Sequence, residues 1–152
     1  MNVKQNCKYA LATVTSMGVR IPPVERQSVH TSHLFEMQAT SAETNVATVS
    51  AALGLPVKVL TTFVEGSPIA QFIKNDLRSR GMEYEGKEVP QGDPWGYRHQ
   101  FNIADSGYGL RGPRVQNDRA GEVGRTLKVE DFDLERIFGT EGVEVLHLSG
   151  LI

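Results

Sequence analysis

The chain has 152 residues, 39% of them hydrophobic and 22% charged, with a net charge of −2. That length suits one domain with a substantial core, and the charge balance gives no electrostatic case for a nucleic-acid partner. No apolar run reaches membrane-spanning length, no signal-peptide core follows the first six residues, and Cys7 is the only cysteine. A disulfide within the chain and a multi-cysteine metal site are excluded, no membrane partner is expected, and the expected setting is cytoplasmic.

Residues 9–15, Tyr9-Ala10-Leu11-Ala12-Thr13-Val14-Thr15, form a short apolar run that predicts a buried strand. Val19-Arg20-Ile21 continues extended until Pro22-Pro23 interrupts it. Residues 34–40 alternate, with Phe35, Met37 and Ala39 on one face and Glu36 and Gln38 on the other, which predicts a half-exposed strand. A helix follows. Thr40 with Glu43 reads as a capping box, Ala42, Val46, Val49 and Leu53 as its apolar stripe, and Gly54 as its stop. Ser41, Thr44 and Asn45 crowd its first turn, where backbone N–H groups lack partners and the helix dipole is positive. They serve either as caps alone or as a site for an anion or a polyhydroxyl ligand.

Residues 57–64 predict a second strand, rich in β-branched side chains. Ser67-Pro68 opens a second helix whose stripe is Ile69, Phe72, Ile73 and Leu77, and Gly81 stops it. Strands alternating with helices of this length predict an α/β layered fold with a largely parallel sheet. From residue 82 the character changes. Residues 83–85 and 87–89 read as short exposed strands around Gly86. Residues 95–104 alternate, with Trp95, Tyr97, His99, Phe101 and Ile103 opposite Arg98, Gln100 and Asn102. A turn-rich connection leads to a further extended segment at 114–118. A β-rich insertion of this kind predicts a small lid sheet over the α/β body, the alternative being a plain two-sheet domain. Residues 132–138 read as a short helix ending at Gly139, and 143–150 as a last apolar strand. A chain stopping at Leu151-Ile152, directly after that strand, is expected to be the N-terminal part of something longer.

In this order the elements resemble those of the ribokinase-like (PfkB) carbohydrate kinases, above all the 2-keto-3-deoxygluconate kinase group. Four stretches carry the resemblance. Arg20-Ile21-Pro22-Pro23 is similar to the family's Arg-Leu-Ser-Pro, and Ala42-Glu43-Thr44-Asn45-Val46-Ala47 to its Gly-Gly-Ala-Glu-x-Asn-Val-Ala. Residues 115–123, with Asp118-Arg119-Ala120-Gly121, resemble Val-x-Tyr-Asp-Arg-Ala-x-Ser-Ala. Asp131-Phe132-Asp133 and His147-Leu148-Ser149-Gly150 match Asp-Phe-Asp and His-Leu-Ser-Gly. The departures are Thr40-Ser41 in place of the glycine pair, Asn117 in place of a sugar-contacting tyrosine, Glu122-Val123 in place of Ser-Ala, and an altered Gly-x-Asp-x-x-Gly segment around residues 64–70.

The resemblance implies a three-layer α/β/α body with a β-sheet lid, the body at about 8–16, 41–81 and 129–152 and the lid at about 17–40 and 82–119. It implies the substrate-binding half of an enzyme that phosphorylates a sugar acid with ATP and Mg2+, with pairing through the lid in a homodimer. Ser41, Ala42, Asn45, Tyr97 and Arg119 are the substrate-binding candidates, and Arg20 is a weaker one. Arginine suits a carboxylate because its planar fork donates two parallel charge-assisted hydrogen bonds; the other reading of Arg119 is a solvated side chain paired with Asp118. Tyr97 could cover the sugar or simply pack, and His99 and His147 read as core histidines. The family's catalytic base lies in a Gly-Ala-Gly-Asp motif that does not occur here, nor does a Walker-type phosphate loop. No catalytic residue and no nucleotide or metal ligand is therefore assigned within these residues, and the 152-residue chain alone is expected to show no ATP-dependent turnover. Two alternatives remain: a non-catalytic sugar-binding or lid-pairing half-kinase, and a fructokinase- or ribokinase-type kinase of a neutral sugar.

Overall fold

A computed structural model describes residues 6–149; Gly150 and the chain end at Leu151-Ile152 lie outside the described residues. Two four-stranded sheets share one core. The body sheet has the order β5-β4-β1-β8, formed by β1 (Tyr9–Val14), β4 (Val57–Val64), β5 (Met82–Val89) and β8 (Val143–His147), with all neighbours parallel. The lid sheet has the order β3-β2-β6-β7, formed by β2 (Gly18–Ile21), β3 (Gln38–Thr40), β6 (Gln100–Asp105) and β7 (Arg114–Asp118). Its central pair, β2 with β6, is parallel, and both outer pairs are antiparallel.

Helix α1 (Ala42–Ala52) connects the lid strand β3 to β4, and α2 (Pro68–Ser79) connects β4 to β5. Every residue of β4 is buried, as a central parallel strand requires. The Ser67 hydroxyl caps α2 by accepting from the N–H groups of Ile69 and Ala70, and the helix buries Ala70, Ile73 and Leu77. One apolar cluster runs from Val59, Phe63, Ile73 and Leu77 in the body to Met17, Val19 and Ala39 at the lid, so the two sheets are not separately packed units.

Five expectations are corrected. Helix α1 is capped by Ser41, whose hydroxyl accepts from the Thr44 N–H, while Thr40 is drawn into β3 opposite Gly18. The face of α1 that is buried carries Glu43, Thr44 and Ala47, and the stripe of Val46, Val49 and Leu53 points to solvent. Small side chains on the inner face let the helix lie close on β1. Residues 82–89, expected as two lid strands, form one edge strand of the body sheet. The strand expected over 34–40 is regular only from Gln38, and the helix expected over 132–138 is a single wide turn at Glu135–Glu141.

The charged pattern that made β5 read as exposed is taken up by neighbouring strands. Lys58, buried near the start of β4, has its Nζ 3.1 Å from Glu85. Glu85 also receives Arg136 at 2.7 Å, and the Tyr9 hydroxyl donates to Glu83 at 2.6 Å. Burial pushes the Glu85 carboxyl up, but hydrogen bonds from Arg136 and Lys58 outweigh it and hold the group below its ordinary value. Glu85→Gln leaves the buried Lys58 charge without its counterion, and we expect a loss of roughly 2 kcal/mol in urea unfolding, less than for a fully buried pair because Glu85 is partly solvated. Lys58→Met combined with Glu85→Leu should recover most of it; a single variant as stable as wild type would show that the pair contributes nothing.

Candidate functional site

The carboxyl end of β1 and the N-terminus of α1 meet the inner face of the lid at a cavity of about 200 Å³. Ligands of parallel α/β sheets bind at the carboxyl ends of the strands, and the location here fits that rule. From the body come Ser16 and the first turn of α1, with Ser41, Ala42, Glu43 and Asn45. From the lid come Arg20, Gln100, Asn102, Asn117 and Arg119, with Thr40 at the join.

Strand register explains the lid side. Arg20 lies opposite Asn102, and Asn102 opposite Asn117, so one row of partners crosses three strands on the same face. Gly18 lies opposite Gln100, and a Cβ at Gly18 would stand 2.1 Å from the Gln100 Cγ. Only glycine leaves room for the glutamine to fold over that strand toward the cavity. The Gln100 Nε2 donates to the Ser16 carbonyl oxygen at 3.5 Å.

Of the five substrate-binding candidates, Ser41, Ala42, Asn45 and Arg119 share this cavity, and so does Arg20. Tyr97 does not line it; it stands between β5 and β6, 41% exposed. The pairing considered for Arg119 is not formed. Asp118 is taken by Arg98 at 2.8 Å, and Arg98 also donates to the Ala120 carbonyl at 2.7 Å. Neither Arg20 nor Arg119 has a carboxylate partner among the described residues. Sequence reasoning placed Gln100 and Asn102 only on the face opposite Tyr97 and His99, and assigned neither Ser16 nor Glu43 to the site. The alternation of β6 marks two faces but not which one turns to the cavity.

Glu43 carries the one negative charge of the lining and is occupied. Thr15 donates to it at 2.6 Å and the Ser149 hydroxyl donates to its other oxygen. Burial raises its carboxyl, but the hydrogen bonds from Ser149 and Thr15 prevail and keep it ionised below the ordinary range. It clamps the ends of β1 and β8 to the first turn of α1. What remains available to a ligand is positive and hydrogen-bonding: two guanidinium groups, the dipole end of α1, and amide side chains. Such a lining suits an acid bearing hydroxyl groups. Among the described residues no group of three or more His, Cys, Asp or Glu side chains is placed to hold a metal ion, and no helix is long and apolar enough to cross a membrane.

No protein-family model matches the sequence, and no curated protein sequence matches it. Solved structures do. The 2-dehydro-3-deoxygluconokinase of Thermotoga maritima is 25% identical, with a TM-score of 0.81 over 94% of this chain and 41% of its own. A PfkB family carbohydrate kinase from Listeria grayi is also 25% identical, with a TM-score of 0.80 over 93% of this chain and 42% of its own. An uncharacterized sugar kinase from Pyrococcus horikoshii, solved in complex with ATP, shares the fold at 14% identity, with a TM-score of 0.67 over 85% of this chain and 40% of its own. The chain spans about two-fifths of the length of these structures. Over nearly all of its own length, it has the ribokinase-like architecture of the PfkB-family carbohydrate kinases.

Proposed function

We propose that this chain is the acceptor-binding part of an ATP-dependent sugar kinase, and that its acceptor is a sugar acid of the 2-keto-3-deoxygluconate type. One observation carries the reading: Arg20 and Arg119, neither with a carboxylate partner among the described residues, line the same small cavity as the N-terminus of α1. A carboxylate there gains charge-assisted hydrogen bonds without having to break an existing ion pair. Asn45 and the amides of the lid would hold the hydroxyls. The likeness to 2-dehydro-3-deoxygluconokinase supports the acid over a neutral sugar.

In this reading the residues described here position the acceptor and exclude water, with the lid closing over the first turn of α1. ATP, with Mg2+ screening its phosphates, supplies the phosphoryl group. The groups that bind them, and the base for the attacking hydroxyl, are assigned to no residue of this chain. The reaction would take place in the cytoplasm, and the outer lid face would pair with a second copy. A thermal-shift screen tests the acceptor. 2-Keto-3-deoxygluconate at a hundredfold its dissociation constant should stabilise the chain by about 2.7 kcal/mol, and neutral aldoses or ketoses at the same concentration by far less. A neutral ketose stabilising more than the acid would replace this reading with a fructokinase-type one.

A further inference from the structure

The lid wall of the cavity contains two acceptors without donors. The Gln100 Oε1 and the Asn102 Oδ1 are both buried, and no donor among the described residues reaches either. Gln100 is 3% exposed, and its Nε2 is committed to the Ser16 carbonyl, which turns the oxygen the other way. Gln100 and Asn102 are two apart on β6, so both face the same side, and both line the cavity. A buried acceptor without a partner is costly, and native structures rarely leave two together. The neighbouring guanidinium groups could serve a carboxylate but leave these oxygens unanswered.

We propose that Gln100 and Asn102 are specificity-determining residues that read the hydroxylated end of the acid, each amide oxygen accepting a hydrogen bond from a ligand hydroxyl. This rests on the acid-binding reading given above and adds a division of labour to it. Arg20 and Arg119 meet the carboxylate, and the β6 amides discriminate a polyhydroxylated tail from a bare one. A site whose buried acceptors need donors rejects an analogue that lacks them, because the acceptors then stay unpaired.

Two probes with the same keto-acid head separate the functions: 2-keto-3-deoxygluconate, which carries three hydroxyls, and 2-oxohexanoate, which carries none. Calorimetry on the 152-residue chain should show wild type preferring the hydroxylated acid. Gln100→Met and Asn102→Leu, close to isosteric, should each weaken it about tenfold, the loss of one net hydrogen bond, while 2-oxohexanoate binds as before or better. The melting temperature of Asn102→Leu without ligand should be unchanged or raised, because an unpaired acceptor has been removed; a purely structural role would lower it. Variants that weaken both probes equally, or neither, overturn the assignment of Gln100 and Asn102 and leave the acid reading standing. Wild type that binds neither probe overturns both.

Discussion

Arg119→Ala is expected to weaken binding of 2-keto-3-deoxygluconate by about ten- to a hundredfold, the range for hydrogen bonds to a charged group, and to leave a neutral sugar within about twofold. The reason lies in what Arg119 does not touch. Its sequence neighbour Asp118 is committed to Arg98 at 2.8 Å, so truncating Arg119 breaks no ion pair of the fold and its cost falls on the ligand. Arg119→Lys should lie between, since the charge is retained but the planar fork is lost. Affinity for the acid should fall with ionic strength more steeply in wild type than in the alanine variant. Calorimetry that finds the acid bound equally well by both proteins would remove Arg119 from the site.

His99→Phe should cost about 3 kcal/mol, roughly 10 °C in melting temperature for a domain of this size. His99 is 2% exposed and bolts the lid to the body. Its Nε2 accepts from the Val64 N–H at 3.3 Å, its Nδ1–H donates to the Met17 carbonyl at 2.9 Å, and its ring lies 6.2 Å from that of Phe63. Phenylalanine fills the space and abandons two buried backbone groups. The same geometry makes stability depend on pH. Burial pushes the His99 pKa below its ordinary 6.5, outweighing the hydrogen bond to Met17. The folded ring stays neutral where the unfolded one takes up a proton. The contribution is therefore complete above about pH 6.5 and is lost as pH falls from there toward the folded value. Urea unfolding at pH 7.5 and 5.5 should show a larger drop for wild type than for His99→Phe; equal drops would mean that the ring does not titrate as its burial requires.

Helices α1 and α2, strand β4 and the break after β2 were legible because each is announced locally. Ser67-Pro68 caps α2, a β-branched run makes β4, and proline breaks the chain after β2. What was not legible depends on partners distant in sequence. Val46, Val49 and Leu53 have helical spacing, yet it is Ala47 that meets the sheet, because closeness of approach selects small side chains and periodicity does not record it. Glu43 looked like half of a capping box and is a buried clamp, since Thr15 and Ser149 are brought to it from the ends of β1 and β8. The acidic alternation of β5 suggested a solvent-exposed lid, and only Tyr9, Lys58 and Arg136 reveal where those carboxylates go. At the cavity, Arg119 was reached through motif position, whereas Gln100 and Asn102 depended on which face of β6 turns inward.

The parallel partnership of β2 with β6 has a consequence for the order of assembly. One strand leaves the chain before α1 and the other after β5, so the lid cannot zip up as a hairpin meander. Closing so long a loop costs entropy that is recovered only once the intervening β–α–β–α–β run has condensed into a platform. The β6–β7 hairpin can form by itself, but it has nowhere to dock until then. The hollow between lid and α1 is thus among the last features to mature, and a molecule bridging the two walls would staple the latest contacts to the earliest.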